Sequence, residues 1–187
     1  DNRADTVRNV CNYACKYDKI DVVKYLADKH TTDIDSDTFS IACKNGNFDL
    51  AKWILEHDPS IRDTVRNDGT WIFLDICEHN NIPMATWFIK EFPDVDIHIR
   101  EELIFRSSCS HGNLQIVRWL LKKYPDIDVH ACEENAFRMA CANNHIRLAK
   151  WLLKEFPDID VHACEDYVFL VCSDDRQNKG THPSRHD

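Results

Sequence analysis

Residues Trp119 to Cys132 read WLLKKYPDIDVHAC and residues Trp151 to Cys164 read WLLKEFPDIDVHAC, so the two stretches differ only at Lys123 against Glu155 and Tyr124 against Phe156. Near-identity over that length inside one chain marks a tandem repeat, and a repeat decides the architecture before any single residue does. Working outward, phenylalanines stand in register at Phe39, Phe73, Phe105, Phe137 and Phe169, at intervals of 34, 32, 32 and 32. Four residues after each of the first four comes Cys43, Cys77, Cys109 or Cys141, and ten residues later Trp53, Trp87, Trp119 or Trp151. Cys15 followed by Tyr25 is an earlier copy.

The pattern inside one unit predicts two helices. Phe137, Ala140 and Cys141 at i, i+3 and i+4 form the apolar stripe of a first helix running from about Glu133 to Ala142. Gly46, Asn80, Gly112 and Asn144 follow the repeat cysteines by three residues, and these are the types that most readily take the left-handed conformation closing a helix. A second helix is expected from Ile146 to about Phe156, with Ile146, Ala149, Leu152 and Leu153 on one face and Arg147, Lys150 and Lys154 on another. Pro93, Pro125 and Pro157 come just past its last turn, and the Asp-Ile-Asp-Val-His stretch that follows alternates polar and apolar residues as an extended loop does.

A helix pair of about 30 residues cannot enclose its own apolar faces, so neighbours must share a continuous core. The expected fold is therefore an all-α solenoid of stacked antiparallel helix pairs with short extended loops. The pairs fall at residues 6–30, 34–58, 68–92, 100–124 and 132–156, with a single first helix at 164–173. Residues 1–172 form the array, and residues 173–187, polar and carrying Gly180 and Pro183, form a frayed tail.

The stretches Gly112-Asn-Leu-Gln-Ile-Val-Arg-Trp-Leu-Leu121 and Asp128-Val-His-Ala131 resemble the second helix and following loop of the ankyrin repeat. The resemblance covers roughly residues 6–172, and the wording Phe-Arg-x-Ala-Cys, Ala-Lys-Trp-Leu-Leu and Pro-Asp-Ile-Asp-Val-His is similar to the divergent ankyrin-repeat proteins abundant in giant DNA viruses. The family's usual Thr-Pro-Leu-His opening is replaced by Asn135-Ala-Phe-Arg138 and Leu103-Ile-Phe-Arg106, and the stretch from Ala131 to Phe137 is shorter than the usual hairpin finger. β-Hairpins are accordingly expected to be reduced or absent.

Composition excludes several classes of function. With 32 acidic and 23 basic side chains the formal net charge is -9, against a default role on nucleic acid or an anionic membrane surface. The four glycines stand alone, so no glycine-rich phosphate cradle can form. Apolar runs stop at four or five residues, as in Trp71-Ile72-Phe73-Leu74, far below the roughly 20 a membrane span needs. The opening Asp1-Asn2-Arg3-Ala4-Asp5 has no charged-then-apolar leader, which points to a reducing cytoplasm, that of the host cell if the chain is viral, and to a fragment or processed form.

Four residue sets invite chemistry. His98, His130 and His162 recur, the last two in His-Ala-Cys triplets with Cys132 and Cys164, but equivalent residues of stacked repeats lie about 8–10 Å apart. Zinc ligands must lie about 4 Å apart, so the loop histidines are expected to bond backbone instead and no metal or other cofactor is expected. The repeat cysteines sit in an apolar stripe as small hydrophobes, and no one of them stands out as a nucleophile. The tryptophans read as packing. The loop carboxylates, Asp94/Asp96, Asp126/Asp128 and Asp158/Asp160 with Glu101/Glu102, Glu133/Glu134 and Glu165/Asp166, are copied in every unit, and solvation and helix N-terminal placement account for them better than acid-base work does. With Arg118, Lys122, Lys123, Lys150 and Lys154 on second helices, one acidic edge and one more basic face are expected.

Where the copies disagree, function is easier to find. Two residues before the phenylalanine stand Asp37, Trp71, Leu103, Asn135 and Tyr167; one after it stand Ser40, Leu74, Arg106, Arg138 and Leu170; five after it stand Lys44, Glu78, Ser110 and Ala142. The first and third of these positions lie roughly opposite the phenylalanine, on the open side of the first helix. The ankyrin resemblance implies that this face and its loops bind protein, and Trp71, Arg106, Arg138 and Tyr167 are of the types that dominate interfaces. The candidate partner-binding residues are thus Trp71, Leu103, Arg106, Asn135, Arg138 and Tyr167, with Glu102 and Glu134 in the loops. The expected protein is an interaction scaffold without catalysis, alternatively the substrate-binding part of a larger regulator such as a ubiquitin-ligase adaptor, and its uncapped ends predict either more repeats in a longer parent protein or self-association. A metal- or redox-responsive role for the His-Ala-Cys loops is the third reading, which nine reactive thiols and no zinc would sink.

Overall fold

The computed structural model describes residues 2–30 and 34–163. Ten α-helices follow one another: α1 Asn2–Lys16, α2 Ile20–His30, α3 Ser36–Asn45, α4 Phe48–His57, α5 Ile61–Glu78, α6 Ile82–Glu91, α7 Ile99–Ser110, α8 Leu114–Lys123, α9 Ala131–Ala142 and α10 Ile146–Glu155. A short 3-10 turn spans Val161–Ala163, and no strand occurs among the described residues. The expected all-α architecture of helix pairs without β-hairpins is what is found. The terminal helix at 164–173, with Phe169, and the tail lie outside the described residues.

Two compact units divide the chain, one ending at Ile99 and one starting at Arg100. In the first, α1 lies against α3 and α3 against α5, while α2, α4 and α6 each rest on the helix before them. First helices thus form one row, because the phenylalanine stripe of each needs a neighbour to cover it. Phe39, Phe73 and Phe88 are fully buried, and their rings meet with Phe92 in one cluster: Phe73 and Phe88 stack at 6.1 Å and Phe88 and Phe92 lie 4.9 Å apart. Burying one such side chain stabilises by roughly 1.5–3 kcal/mol. In the second unit Phe105 and Phe137 occupy the same position, and α10 rests on α9.

The turns between paired helices follow the sequence reading. Gly46, Asn80, Gly112 and Asn144 have φ of 78°, 55°, 71° and 60°, and Asp18, at the same place in the first copy, has 53°. Each donates its N–H to the carbonyl of the repeat cysteine three residues back, and the next residue donates to the carbonyl before it, as Asn47 does to Ala42 and Asn113 to Ser108. Neighbouring turns are then tied together. Asn47 Nδ2 donates to the Cys15 carbonyl, and Asn143 Nδ2 to the Ser110 carbonyl at 2.8 Å. A Cβ on Gly112 would run into the His145 ring, so this glycine is needed both for its backbone angle and for the close approach.

Two elements depart from expectation. The pair placed at 68–92 begins earlier, because α5 runs unbroken from Ile61. Its linker lacks the Asp-x-Asp-Val-His wording, and Ile61 and Val65 instead continue the buried stripe at helical spacing toward Ile72 and Ile76. Gly69 is buried within this helix, where a Cβ would lie 3.2 Å from Val95 Cγ2 and 3.3 Å from Val65 Cγ1. The second departure is in the backbone. Arg100, Glu101 and Glu102 have φ of 48°, 54° and 63°, and Cys132, Glu133 and Glu134 have 56°, 56° and 60°, so each copy opens with a left-handed turn of three non-glycine residues. That conformation costs roughly 1–2 kcal/mol per residue and has to be held by the surroundings.

Candidate partner-binding site

On the first unit, Trp71 stands on α5 with 40% of its surface exposed. Among the described residues after α2 it is the one large hydrophobic side chain so exposed. Beside it a groove of about 310 Å³ is lined by Ser36, Asp37 and Ser40 of α3 and by Asp68, Trp71, Ile72, Leu74 and Asp75 of α5. Lys44 Nζ lies 3.7 Å from Asp75 Oδ2 at one edge. Sequence reasoning found Trp71 and Asp37 as variable positions but not the carboxylates of α5. Their signal was present, since Asp68, Trp71 and Asp75 fall at i, i+3 and i+7 of the helix expected from residue 68.

On the second unit, Leu103 and Asn135 are half-buried on α7 and α9, at the position equivalent to Trp71. Arg106 and Arg138 are also half-buried, and each has work inside the fold. Arg106 donates through Nε to the Glu101 carbonyl at 2.7 Å, through Nη2 to the Arg100 carbonyl at 2.8 Å and through Nη1 to Asn135 Oδ1 at 3.2 Å. The guanidinium thereby closes the left-handed turn and reaches the next first helix. Arg138 makes one longer bond, Nη1 to the Glu133 carbonyl at 3.5 Å. Tyr167 lies outside the described residues.

Glu102 and Glu134 require correction as contact residues. They are 6% and 7% exposed, so neither is solvated, and each immediately precedes the right-handed part of its helix. The left-handed turn swings them inward, where Glu102 Oε1 accepts the N–H of Asp128 at 3.4 Å and Glu134 Oε1 that of Asp160 at 3.3 Å. Each fastens the loop of the following copy. Glu134 Oε2 is buried with no hydrogen-bond partner among the described residues. The loop aspartates themselves fold back: Asp96, Asp128 and Asp160 each accept the N–H of the histidine two residues on, at 3.0, 2.9 and 2.8 Å.

The histidine expectation is corrected at His130, whose ring bonds carboxylates and not backbone. Nδ1 lies 2.7 Å from Glu134 Oε1 and Nε2 3.3 Å from Asp158 Oδ2. The hydrogen bond to Glu134 pushes the imidazole above its ordinary pKa, with the charges of Glu134, Asp158 and Asp128 adding and partial burial opposing. The two carboxylates sit on opposite ring nitrogens, so no point lies close to all three groups, and no set of three metal-ligating side chains converges among the described residues. Cys132 Sγ donates to Glu101 Oε2 at 2.9 Å, which raises the pKa of its thiol. Burial pushes up the thiols of Cys43, Cys77 and Cys109, as expected of apolar-stripe cysteines.

The model for a family described as ankyrin repeats in three copies matches residues 39–131 and, in a second register, 73–163, together more than half the chain. This chain belongs to the ankyrin-repeat family. No curated protein matches it. Ankyrin repeats are in general protein–protein interaction modules, and no helix among the described residues is long and apolar enough to cross a membrane. The ankyrin second helices carry their tryptophans half-buried, and three of the rings have a cation near them: Arg118 lies 5.1 Å from the Trp151 ring, Lys24 5.7 Å from Trp53 and Lys123 5.9 Å from Trp119. Those contacts draw part of the expected basic face onto the ring faces.

Proposed function

We propose that this ankyrin-repeat chain binds a partner protein through the open side of its first helices and catalyses nothing itself. The observation that carries the reading is Trp71: the repeats hold their phenylalanines and cysteines inside, and at the variable position α5 presents a large aromatic to solvent beside a groove. Aromatic anchors of this kind supply most of the energy of protein interfaces. On the second unit, Leu103 and Asn135 hold the equivalent positions of α7 and α9 and are further contact candidates. Arg106 and Arg138 are secondary ones, because their guanidinium groups already hold the left-handed turns. Neither nucleic acid nor a membrane surface is the proposed partner, since the chain carries a net charge of -9. The setting is a reducing cytoplasm, in keeping with the buried free thiols of Cys11, Cys15, Cys43, Cys77, Cys109 and Cys141.

The test is affinity capture with the intact chain beside a variant carrying Trp71→Ala, Leu103→Ala and Asn135→Ala, shown to be folded by circular dichroism. A specific protein lost with the variant alone is the expected result. Undiminished capture by the variant overturns the assignment of the face. We also propose self-association through α1, α2 and the turn between them, where Val10, Tyr13, Tyr17, Val22 and Tyr25 are 47%, 66%, 49%, 41% and 58% exposed.

A further inference from the structure

Building on the partner-binding reading above, we propose that the groove between α3 and α5 receives an arginine side chain projecting from a basic segment of the partner. Its volume, about 310 Å³, is at the small end for a ligand cleft and suits one long side chain, not a helix. Its walls are two helix faces of complementary design. On α5, Asp68, Trp71 and Asp75 fall at i, i+3 and i+7, so the indole stands between two carboxylates along one face. On α3, Asp37 and Ser40 face the same space.

The charge is unbalanced. Lys44 is ion-paired with Asp75, while Asp37 and Asp68, both exposed, form no ion pair among the described residues. An anion is repelled from such a site, and an apolar side chain would take water from carboxylates it cannot bond. A guanidinium satisfies every element at once: its plane stacks on the indole at up to about 6 Å, and its five N–H donors fork toward carboxylates on both sides. An ammonium is a compact, strongly hydrated point charge and lacks the planar fork. The other copies cannot repeat the arrangement. At the positions of Asp68, Trp71 and Asp75, α7 has Arg100, Leu103 and Ser107, and α9 has Cys132, Asn135 and Met139.

The test titrates the isotopically labelled full chain at low salt with acetyl-Gly-Ser-Arg-Ser-Gly-amide and with its citrulline and lysine counterparts, read by amide and indole NMR. Saturable shifts confined to Trp71, Asp37, Asp68 and Asp75 are expected, with the neutral citrulline peptide binding about tenfold more weakly. Asp68→Asn and Trp71→Phe, which keep the fold's other resonances in place, each weaken the arginine peptide, and Trp71→Ala does so by about tenfold. Citrulline or lysine binding as tightly as arginine, shifts elsewhere on the surface, or an Asp68→Asn variant that binds like the parent overturns the proposal. If the arginine peptide leaves the groove untouched while the triple variant still loses its captured protein, the arginine assignment fails and the wider reading stands. If the groove takes the peptide and capture is undiminished, the wider reading fails and the arginine site stands.

Discussion

His130 is held between Glu134 and Asp158, and its imidazole pKa is raised chiefly by the bond to Glu134. A histidine whose folded pKa exceeds its unfolded value of about 6.5 contributes stability fully below that value and loses it as pH rises through the folded pKa. Urea midpoints of the wild type are therefore expected to carry a component that falls on going from mildly acidic to mildly alkaline buffer, and His130→Gln to lack it; identical profiles would refute the linkage. Gly112 and Asn144 test the turns. Gly112→Ala puts a Cβ at φ 71° into the His145 ring and should cost at least about 1–2 kcal/mol, whereas Asn144→Gly should be neutral or stabilising in the same denaturation experiment. At this scale the sequence was legible wherever chemistry and backbone coincide: glycine and asparagine announce left-handed residues, while Asp18 in the same role was overlooked because aspartate serves many others. Glu102 and Glu134 were illegible. A carboxylate in a polar loop looks solvated, and the N–H it meets belongs to a residue 26 positions later.

The left-handed turns at 100–102 and 132–134 are the element whose stability depends most on distant side chains. Arg106 closes the first with bonds of 2.7 and 2.8 Å to two turn carbonyls, while Arg138 meets the second with one bond of 3.5 Å. Arg106→Met, which keeps the apolar stem, is expected to lower stability by about 1–3 kcal/mol, and Arg138→Met by distinctly less, in chemical denaturation. Equal losses would mean that the guanidinium bonds do not hold the turn. Helix pairs, their closing residues and their ends after Ala142 and near Phe156 were readable because they rest on apolar period and on glycine, asparagine and proline. The extension of α5 back to Ile61 was missed because a degenerate copy has no neighbour to align with, although Ile61 and Val65 kept the period. No local signal marks a left-handed turn built without glycine.

For the whole molecule, the exposed tyrosines of α1, α2 and the turn between them set behaviour at high concentration. Tyr13, Tyr17 and Tyr25 are each about half exposed or more, the first two with rings 4.6 Å apart, and exposed apolar surface of this kind drives association. Sedimentation velocity should show a concentration-dependent larger species, and Tyr13→Lys with Tyr17→Lys should return the protein to a monomer; a wild type that stays monomeric at all concentrations would refute this. The repeat made the architecture legible, while the partner face depended on where copies differ, which a single sequence shows without ranking. The buried glutamates have a further consequence for how the chain is made. Glu102 leaves the ribosome 26 residues before the Asp128 amide it accepts, and Glu134 the same distance before Asp160. At about 5–20 residues per second each carboxylate waits on the order of one to five seconds for its partner. Synthesis thus fastens these copies in order, each one held open until the loop of its successor has emerged.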